Sequence, residues 1–268
     1  MTPTISGIRI YPIKSLDPVE LNEIEVGTRS LLFDREFAML AEDGRFVNGK
    51  RTGKVNTLQA RYDIKNYLVS LNDRKGGAVR TFHLVDDKQK LENFLSNFFD
   101  LPVTIIHNEE GALMDIPVES SVTLMSDATL LSLQSDMPSH SLEDLKLRFR
   151  PNLMVAGVDR FWEEELFGEP GTGIEFLVGN VRMIGISPRA RCNVPPRNPL
   201  DGEQDKSFIR TMMKSRADTL PKGSKLLKYG GLYQLTVNVY IPETEKGKIF
   251  RIGDEIKVIG PVVVEVNE

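Results

Sequence analysis

Cysteine is almost absent from this chain of 268 residues, because Cys192 is the only one. A single thiol cannot form an internal disulfide, so the sequence carries no mark of an oxidising compartment, and we expect a cytoplasmic protein. Long hydrophobic runs are absent as well, and none approaches the roughly 18 residues that a membrane-spanning helix needs. The N-terminus lacks the charged and apolar regions of a secretory signal. We therefore expect no membrane association.

An excess of basic charge is also missing. The chain has 34 Lys and Arg residues against 38 Asp and Glu residues, which leaves a formal net charge of −4. This balance gives no reason to expect a nucleic-acid partner. Hydrophobic residues make up 40% of the chain, which is enough for a sizeable core in one large domain or two smaller ones.

Short segments typical of β-strands dominate the chain, and helical periodicity is confined to a few places. Helices are predicted over residues 87–99, from Ser126, from Ser141 and over residues 207–216, and a strand is predicted over residues 249–258. Strands come in clusters rather than alternating with helices, which disfavours a repeating βαβ fold. We predict an α+β, mostly β protein with β-barrel-like sheets, a few short helices and a domain boundary near residues 108–120.

The segment around Cys192 carries the clearest chemical information. Residues 186–199 hold three arginines and four prolines, and the apolar alternation of a strand stops within them. A lone cysteine is most often a small buried hydrophobe. Here Arg189 and Arg191 should favour the thiolate, and a stiff loop just past a strand could present it at a cavity mouth. A thiolate serves as a nucleophile or as a soft metal ligand.

The residue pattern does not support other metal or redox sites. His83, His107 and His140 are scattered, so no zinc site can be assembled by spacing, and no local signature supports a Cys–His protease dyad. One cysteine cannot hold an iron–sulfur cluster, and no glycine-rich dinucleotide motif is present.

Five motifs, in order along the chain, resemble those of one family. They are Tyr-Pro-Ile-Lys-Ser at residues 11–15, Phe-Asp-Arg-Glu-Phe at 33–37, Phe-Arg-Pro-Asn at 149–152, Arg-Cys at 191–192 followed by Asn-Pro-Leu-Asp-Gly at 198–202, and Arg-Ile-Gly-Asp-Glu at 251–255. The chain resembles MOSC-domain proteins, which include the C-terminal domain of molybdenum cofactor sulfurases and the molybdenum-dependent reductases of N-hydroxylated compounds. The resemblance spans nearly the whole chain. It implies a MOSC N-terminal β-barrel-like domain over residues 1–112 and a β-barrel-like MOSC domain over residues 113–268.

The resemblance also implies a cofactor, the molybdenum cofactor (Mo-molybdopterin), with Cys192 as the catalytic residue and the protein's sulfur ligand to molybdenum. Lys14, Arg35 and Arg150 match family positions that bind the phosphate or nucleotide end of the pterin, and Ser15 could donate a hydroxyl to the same oxygens. Further implied cofactor contacts are Asn152, Arg191, Ser120, Ser121 and Asn238.

Each of these residues has a simpler interpretation as well. Lys14 and Ser15 could form a solvated turn, and Arg35 could make a local ion pair with Asp34. Asn152 could be a turn residue or a brace for the following strand. The chain also departs from the family at Ala190, where family members often have serine, and in the Asn-Val-Pro-Pro-Arg run after Cys192, which puts the substrate range in doubt.

Three functions remain open at this stage. The first is a molybdenum oxidoreductase that reduces N-hydroxylated or related oxygenated small molecules, with electrons from a separate donor protein or domain that carries a flavin, an iron–sulfur cluster or a haem. The second is a sulfur carrier that forms a persulfide on Cys192. The third is a chaperone that stores or hands over molybdopterin. Pyridoxal phosphate binding is associated with the family as a whole, and no residue of this chain is assigned to it.

Overall fold

A computed structural model describes residues 2–114 and 121–264 of the chain. Strands account for more of these residues than helices do, so the predicted α+β, mostly β class is confirmed. The strands are β1 Thr4–Ile10, β2 Val19–Leu21, β3 Glu23–Glu25, β4 Phe37–Ala41, β5 Leu58–Asp63, β6 Leu68–Asp73, β7 Arg80–His83, β8 Val103–His107, β9 Val122–Ser126, β10 Leu153–Ala156, β11 Thr172–Val178, β12 Val181–Ala190, β13 Gln234–Tyr240, β14 Ile249–Arg251 and β15 Ile256–Val263. The α-helices are α1 Lys88–Phe99, α2 Asp127–Asp136, α3 Leu142–Phe149 and α4 Phe208–Thr219.

The largest sheet has the strand order β15-β11-β12-β13-β9-β10-β1-β2. Its neighbours are antiparallel except for the parallel pair β9 and β10. Three smaller sheets join β14 with β3, β4 with β8, and β5 with β6 and β7. Strands β1 and β3, near the start of the chain, thus pair with β10 and β14 from its second half. The domain boundary near residue 112 stays a prediction.

Apolar side chains pack into three clusters. One lies along the large sheet and includes Ile8, Val155 and Phe176. A second lies within residues 13–105, where α1 contributes Leu91, Leu95 and Phe99, spaced four residues apart on one helix face. The third joins helices α2, α3 and α4 to the sheet through residues such as Phe149 and Phe208.

Two predicted helix starts are confirmed by their capping bonds. The Ser126 hydroxyl accepts a hydrogen bond from the Thr129 N–H at 3.1 Å, and the Ser141 hydroxyl accepts one from the Asp144 N–H at 3.0 Å. Each bond satisfies an amide that has no partner within its own helix.

The single strand predicted over residues 249–258 is wrong. The chain turns at residues 252–255, and Gly253 adopts a φ of 93° that favours glycine. β14 therefore pairs with β3, whereas β15 forms the edge of the large sheet beside β11. Among the described residues, no helix is long and apolar enough to span a membrane.

Candidate functional site

A cleft of about 450 Å³ opens where the segment after β12 meets the end of α3 and the loops that follow β1 and β4. The predicted residues that line it are Lys14, Ser15, Arg35, Arg150, Arg191, Cys192 and Asn238. These positions are far apart in the sequence, and only the fold brings them around one space.

Cys192 lies at the cleft as an exposed free thiol, two residues beyond the end of β12 at Ala190. Two hydrogen bonds join this part of the backbone to Tyr233, the residue before β13. The Tyr233 hydroxyl donates to the Cys192 carbonyl at 3.2 Å, and the Arg191 N–H donates to the Tyr233 carbonyl at 3.1 Å. The cysteine thus lies just past a strand, where the sequence analysis expected it.

Arg35 and Arg150 meet over one buried aromatic ring. The guanidinium carbons lie 4.5 Å and 3.9 Å from the centre of the Tyr11 ring. Arg35 forms a buried ion pair with Asp34, and Asp34 also accepts the Tyr11 N–H at 2.8 Å. Arg150 donates from Nη2 to the Leu16 carbonyl at 2.8 Å. Tyr11 therefore contacts two cationic side chains that line the cleft.

Three of the residues assigned to the phosphate share an uncommon backbone conformation. Ser15, Arg35 and Arg150 have φ values of 75°, 52° and 53°. Residues other than glycine rarely adopt this left-handed region, and such outliers cluster at functional sites. For Arg150 the conformation ends α3, since its N–H donates to the Lys146 carbonyl.

The cations at the cleft repel one another. Burial, together with the charges of Arg191 and Arg35, lowers the pKa of Arg189 to about 9. Burial also lowers the pKa of Arg150 and of Arg191, and the neighbouring Cys192 thiolate acts in the opposite direction on Arg189 and Arg191. A group with a pKa of about 9 stays protonated at neutral pH, so the cleft is positively charged.

Two buried donors of Arg191 have no acceptor in the part of the chain that the structure describes. Its Nη2 donates to the Phe149 carbonyl at 2.8 Å, whereas Nε and Nη1 are buried and have no acceptor within residues 2–114 and 121–264. Unsatisfied buried donors cost stability, and an anionic acceptor would remove that cost.

The structure does not bring every predicted residue to the cleft. Asn152 is fully buried, and its Oδ1 accepts from Arg35 Nη1 at 3.0 Å while its Nδ2 donates to the Arg9 carbonyl at 3.0 Å. It positions Arg35 and braces the strand, which was its simpler interpretation. Ser121 is buried too and donates to the Arg29 carbonyl at 2.7 Å. Ser120 lies outside the described residues.

Asn238 does line the cleft, and its contacts orient another side chain. Its Oδ1 accepts from Arg189 Nη1 at 2.9 Å, and its Nδ2 donates to the Ser187 hydroxyl at 3.0 Å. Asn238 therefore fixes the direction of Arg189.

The sequence analysis missed the segment Asn48-Gly49-Lys50, which forms part of the cleft wall. Gly49 packs against the Val194 side chain, and its carbonyl accepts from Arg197 Nε at 2.8 Å. A short polar run with a central glycine was a local hint of a loop. Its contact with the loop of residues 191–199, which carries Cys192 and is called the cysteine segment below, depends on the fold and has no local signature.

The described residues contain no cluster of three or more His, Cys, Asp or Glu side chains that could hold a metal ion. The part of the chain that the structure describes therefore does not offer a complete ligand set for a bare cation. Cys192 could supply one ligand to a metal that arrives with other ligands already bound.

Comparisons with known proteins identify two family models that match this chain. Residues 2–102 match a family model described as the MOSC N-terminal beta barrel domain, and residues 81–257 match one described as the MOSC domain. Mitochondrial amidoxime reducing component 2 from Homo sapiens is 25% identical, with 94% of this chain and 82% of that protein covered. Among solved structures, the YuaD protein from Bacillus subtilis covers 96% of each chain with a TM-score of 0.41 and 13% identity.

Molybdenum cofactor sulfurases are also similar. The protein from Homo sapiens is 20% identical over 83% of this chain, and the one from Caenorhabditis briggsae is 23% identical over 95% of it. The matches cover 30% and 36% of those proteins, so this chain spans about a third of their length.

Proposed function

Because the chain belongs to the MOSC-domain family, which its match to that family's model over residues 81–257 shows, we propose that it binds the molybdenum cofactor and reduces N-hydroxylated compounds. Cys192 would be the protein's ligand to molybdenum. Lys14, Ser15, Arg35, Arg150 and Arg191 would hold the anionic end of the pterin. The substrate would be a small molecule with an N–O bond.

The convergence of separate basic residues on the cleft that contains Cys192 carries the proposal. Arg35 and Arg150 share the Tyr11 ring, and Arg191 has two buried donors without an acceptor among the described residues. A phosphate would accept from such donors, and guanidinium groups can bind it in bidentate fashion. A metal already held by dithiolene sulfurs needs one soft ligand more, and Cys192 offers it.

The bound cofactor would supply two-electron chemistry at its metal. In the net reaction the N–O bond breaks, two electrons and two protons are taken up, and the oxygen leaves as water. This chain would bind the cofactor, hold the thiolate in place through the cysteine segment and surround the site with positive charge. A single cysteine cannot hold an iron–sulfur cluster, so the electrons would come from a separate donor.

Metal analysis of the purified protein, from a host that makes molybdopterin, tests the proposal. We expect near-stoichiometric molybdenum in the natural protein and reduction of benzamidoxime with reduced methyl viologen. Cys192→Ser should lose both and keep its circular dichroism spectrum, since this thiol is exposed. A natural protein that contains the cofactor but reduces no N-hydroxylated compound would refute the reductase assignment.

The phosphate assignment has its own test in Arg150. Arg150→Ala should weaken cofactor retention by about 1.5–3 kcal/mol, as expected for a lost charge-assisted hydrogen bond. Arg160→Ala removes an exposed arginine elsewhere and serves as the control. Equal molybdenum content in both variants after gel filtration would mean that the phosphate lies elsewhere.

Sulfur transfer is a second candidate, because Cys192 is an exposed thiol close to Arg189 and Arg191. The sulfurase relatives point to the same chemistry, although the match covers 82% of the human amidoxime reducing component and only 30% of the human sulfurase. A protein without molybdenum whose mass shows one added sulfur on Cys192 would favour this candidate over the reductase.

A further inference from the structure

An aromatic ring lies against one of the lysines of the cleft. The Nζ atom of Lys14 is 3.5 Å from the centre of the Phe46 ring, well within the roughly 6 Å over which a cation and a ring attract each other. Lys14 lines the cleft, whereas Phe46 is not among the described residues that do. Phe46 is therefore placed to act on a bound ligand through the ammonium group of Lys14.

Packing in an apolar core does not account for Phe46. Within residues 2–114 and 121–264, it belongs to none of the three apolar clusters and is not among the partly buried residues that pack against them. Its side chain stays partly exposed. The Lys14 ammonium is the partner that the structure gives this ring.

Strand β4 fixes the backbone on both sides of this contact. The Lys14 N–H donates to the carbonyl of Phe37, the first residue of β4, at 2.8 Å. Phe46 forms an antiparallel β-bridge with Leu40 of the same strand. One strand thus holds the segment that carries the lysine and the segment that carries the ring.

Other cations of the cleft also lie over aromatic rings. The Tyr11 ring contacts Arg35 and Arg150, and the guanidinium carbon of Arg191 lies 5.4 Å from the centre of the Phe149 ring. A ring attracts a cation without neutralising it, so the positive charge remains available to an anionic ligand. A carboxylate in the same place would cancel the charge. Rings are thus the suitable support for cations that must bind a phosphate.

We propose that Phe46 is a positioning residue for Lys14, because its ring holds the ammonium group where that group meets the phosphate end of the bound cofactor. The inference rests on the proposed function, in which Lys14 binds this phosphate. A mobile lysine side chain loses conformational freedom when it binds an anion, which opposes binding. A ring that holds the ammonium group in advance reduces this loss. A cation–π contact at a partly exposed site corresponds to about a two- to fivefold effect on affinity.

Calorimetric titration of the full-length, cofactor-free protein with inorganic phosphate at low salt tests the proposal. Phe46→Leu keeps apolar bulk and removes the ring, whereas Phe46→Tyr keeps a ring. Lys14→Gln removes the ammonium group, and a double variant combines Phe46→Leu with Lys14→Gln. Phe98→Leu is the matched control, because the Phe98 ring lies 5.5 Å from the Nζ atom of Lys54, a lysine that is not among the described residues lining the cleft.

Phe46→Leu should bind phosphate about two- to fivefold more weakly than the natural protein, while Phe46→Tyr and Phe98→Leu should bind it as the natural protein does. Lys14→Gln should bind on the order of tenfold more weakly. The double variant should lose no more than Lys14→Gln alone, since the ring acts through the ammonium group. A ring that served only the fold would instead give losses that add.

Unchanged binding by Phe46→Leu, an equal loss in Phe46→Leu and Phe46→Tyr, or additive losses in the double variant would overturn the proposal. Absence of phosphate binding by the natural protein would overturn it too. In protein from a host that makes molybdopterin, Phe46→Leu should also retain less molybdenum after gel filtration, and equal retention would mean that the ring does not serve the cofactor. A natural protein that shows the expected phosphate binding but contains no molybdenum would count against the proposed function alone.

Discussion

At the scale of single residues, several residues that line the cleft lower the stability of the folded state. Ser15, Arg35 and Arg150 adopt left-handed backbone, which costs on the order of 1 kcal/mol or more for a residue other than glycine. Arg35 and Arg150 also repel each other. The buried Tyr11 ring offsets part of this cost because each guanidinium lies over it, and Asp34 neutralises Arg35. An anion bound between the two arginines would offset more of it.

Glu36, next to Arg35, is a second residue whose charge is unfavourable in the fold. Its side chain is buried, and this burial, together with the negative charges of Glu109 and Asp34, raises its pKa to about 7. The Phe33 N–H donates to Glu36 Oε1 at 2.8 Å and acts in the opposite direction. His107 Nε2 lies 3.9 Å from Glu36 Oε2. Glu36 therefore binds a proton more readily in the folded state than in the unfolded chain.

The raised pKa of Glu36 predicts a loss of stability with rising pH. The favourable contribution is complete below pH 4.5, where the carboxyl is protonated in both states, and is lost as the pH rises through about 7. Glu36→Gln keeps an acceptor for Phe33 and cannot ionise, so it should be more stable than the natural protein at pH 8.5 by on the order of 2 kcal/mol. Urea unfolding at pH 5.5 and 8.5 measures this, with the exposed Glu42→Gln as control. A Glu36→Gln effect that is identical at both pH values would contradict it.

At the scale of elements, the end of α3 holds both the cleft and the cysteine segment. Its last residue and its cap, Phe149 and Arg150, line the cleft. One residue earlier, the buried Arg148 donates from Nη1 to the carbonyls of Pro195 and Arg197, both at 2.8 Å. Arg148 Nε donates to Asp144 on the preceding turn at 2.7 Å. One short helix thus fixes the segment that carries the thiol.

Removing this anchor should loosen the cysteine segment. Arg148→Met keeps apolar bulk but loses three hydrogen bonds, and Asp144 keeps His140 as a partner at 2.7 Å. We expect a loss of about 2–4 kcal/mol in unfolding free energy and faster amide exchange over residues 193–198. Urea unfolding and hydrogen exchange measure the two effects. Arg160→Met, at an exposed arginine, should change neither, and unaltered exchange in Arg148→Met would show that the segment is held by other contacts.

Local sequence features were sufficient to predict some secondary-structure elements and insufficient to predict others. The helix starts at Ser126 and Ser141 depend on a hydroxyl three residues before the amide it caps, so the sequence itself contains both partners. Residues 249–258 were predicted as one strand, because their sequence pattern alone does not show that β14 and β15 pair in different sheets.

The same distinction applies to the candidate site. Cys192, Lys14, Arg35 and Arg150 each stand in a recognisable motif, and the fold places all four at one cleft. Tyr11 stands in one of those motifs too, but its role beneath two arginines depends on packing. The wall formed by residues 48–50 depends on a contact with the cysteine segment across more than half of the chain, which no local pattern encodes.

At the scale of the whole molecule, the cleft lies where separate apolar clusters meet. Lys14, Val55 and the segment of residues 48–50 belong to the part of the chain that surrounds the second cluster. Phe149 belongs to the cluster formed with α2, α3 and α4. A ligand held between these walls would connect parts of the protein that are otherwise packed in different cores, so its binding energy would add to the stability of the whole fold.

Cofactor binding should therefore raise the melting temperature of the entire chain. A ligand present at a hundred times its dissociation constant stabilises the folded state by about 2.7 kcal/mol. For a protein of this size, that corresponds to a rise of roughly 5–10 °C. Calorimetry on loaded protein and on cofactor-free protein from the same preparation measures the difference. Cofactor-free Cys192→Ser should have the same melting temperature as the cofactor-free natural protein, since replacing an exposed thiol changes stability little. Loaded and cofactor-free protein that melt at the same temperature would show that the bound group does not bridge the walls of this cleft.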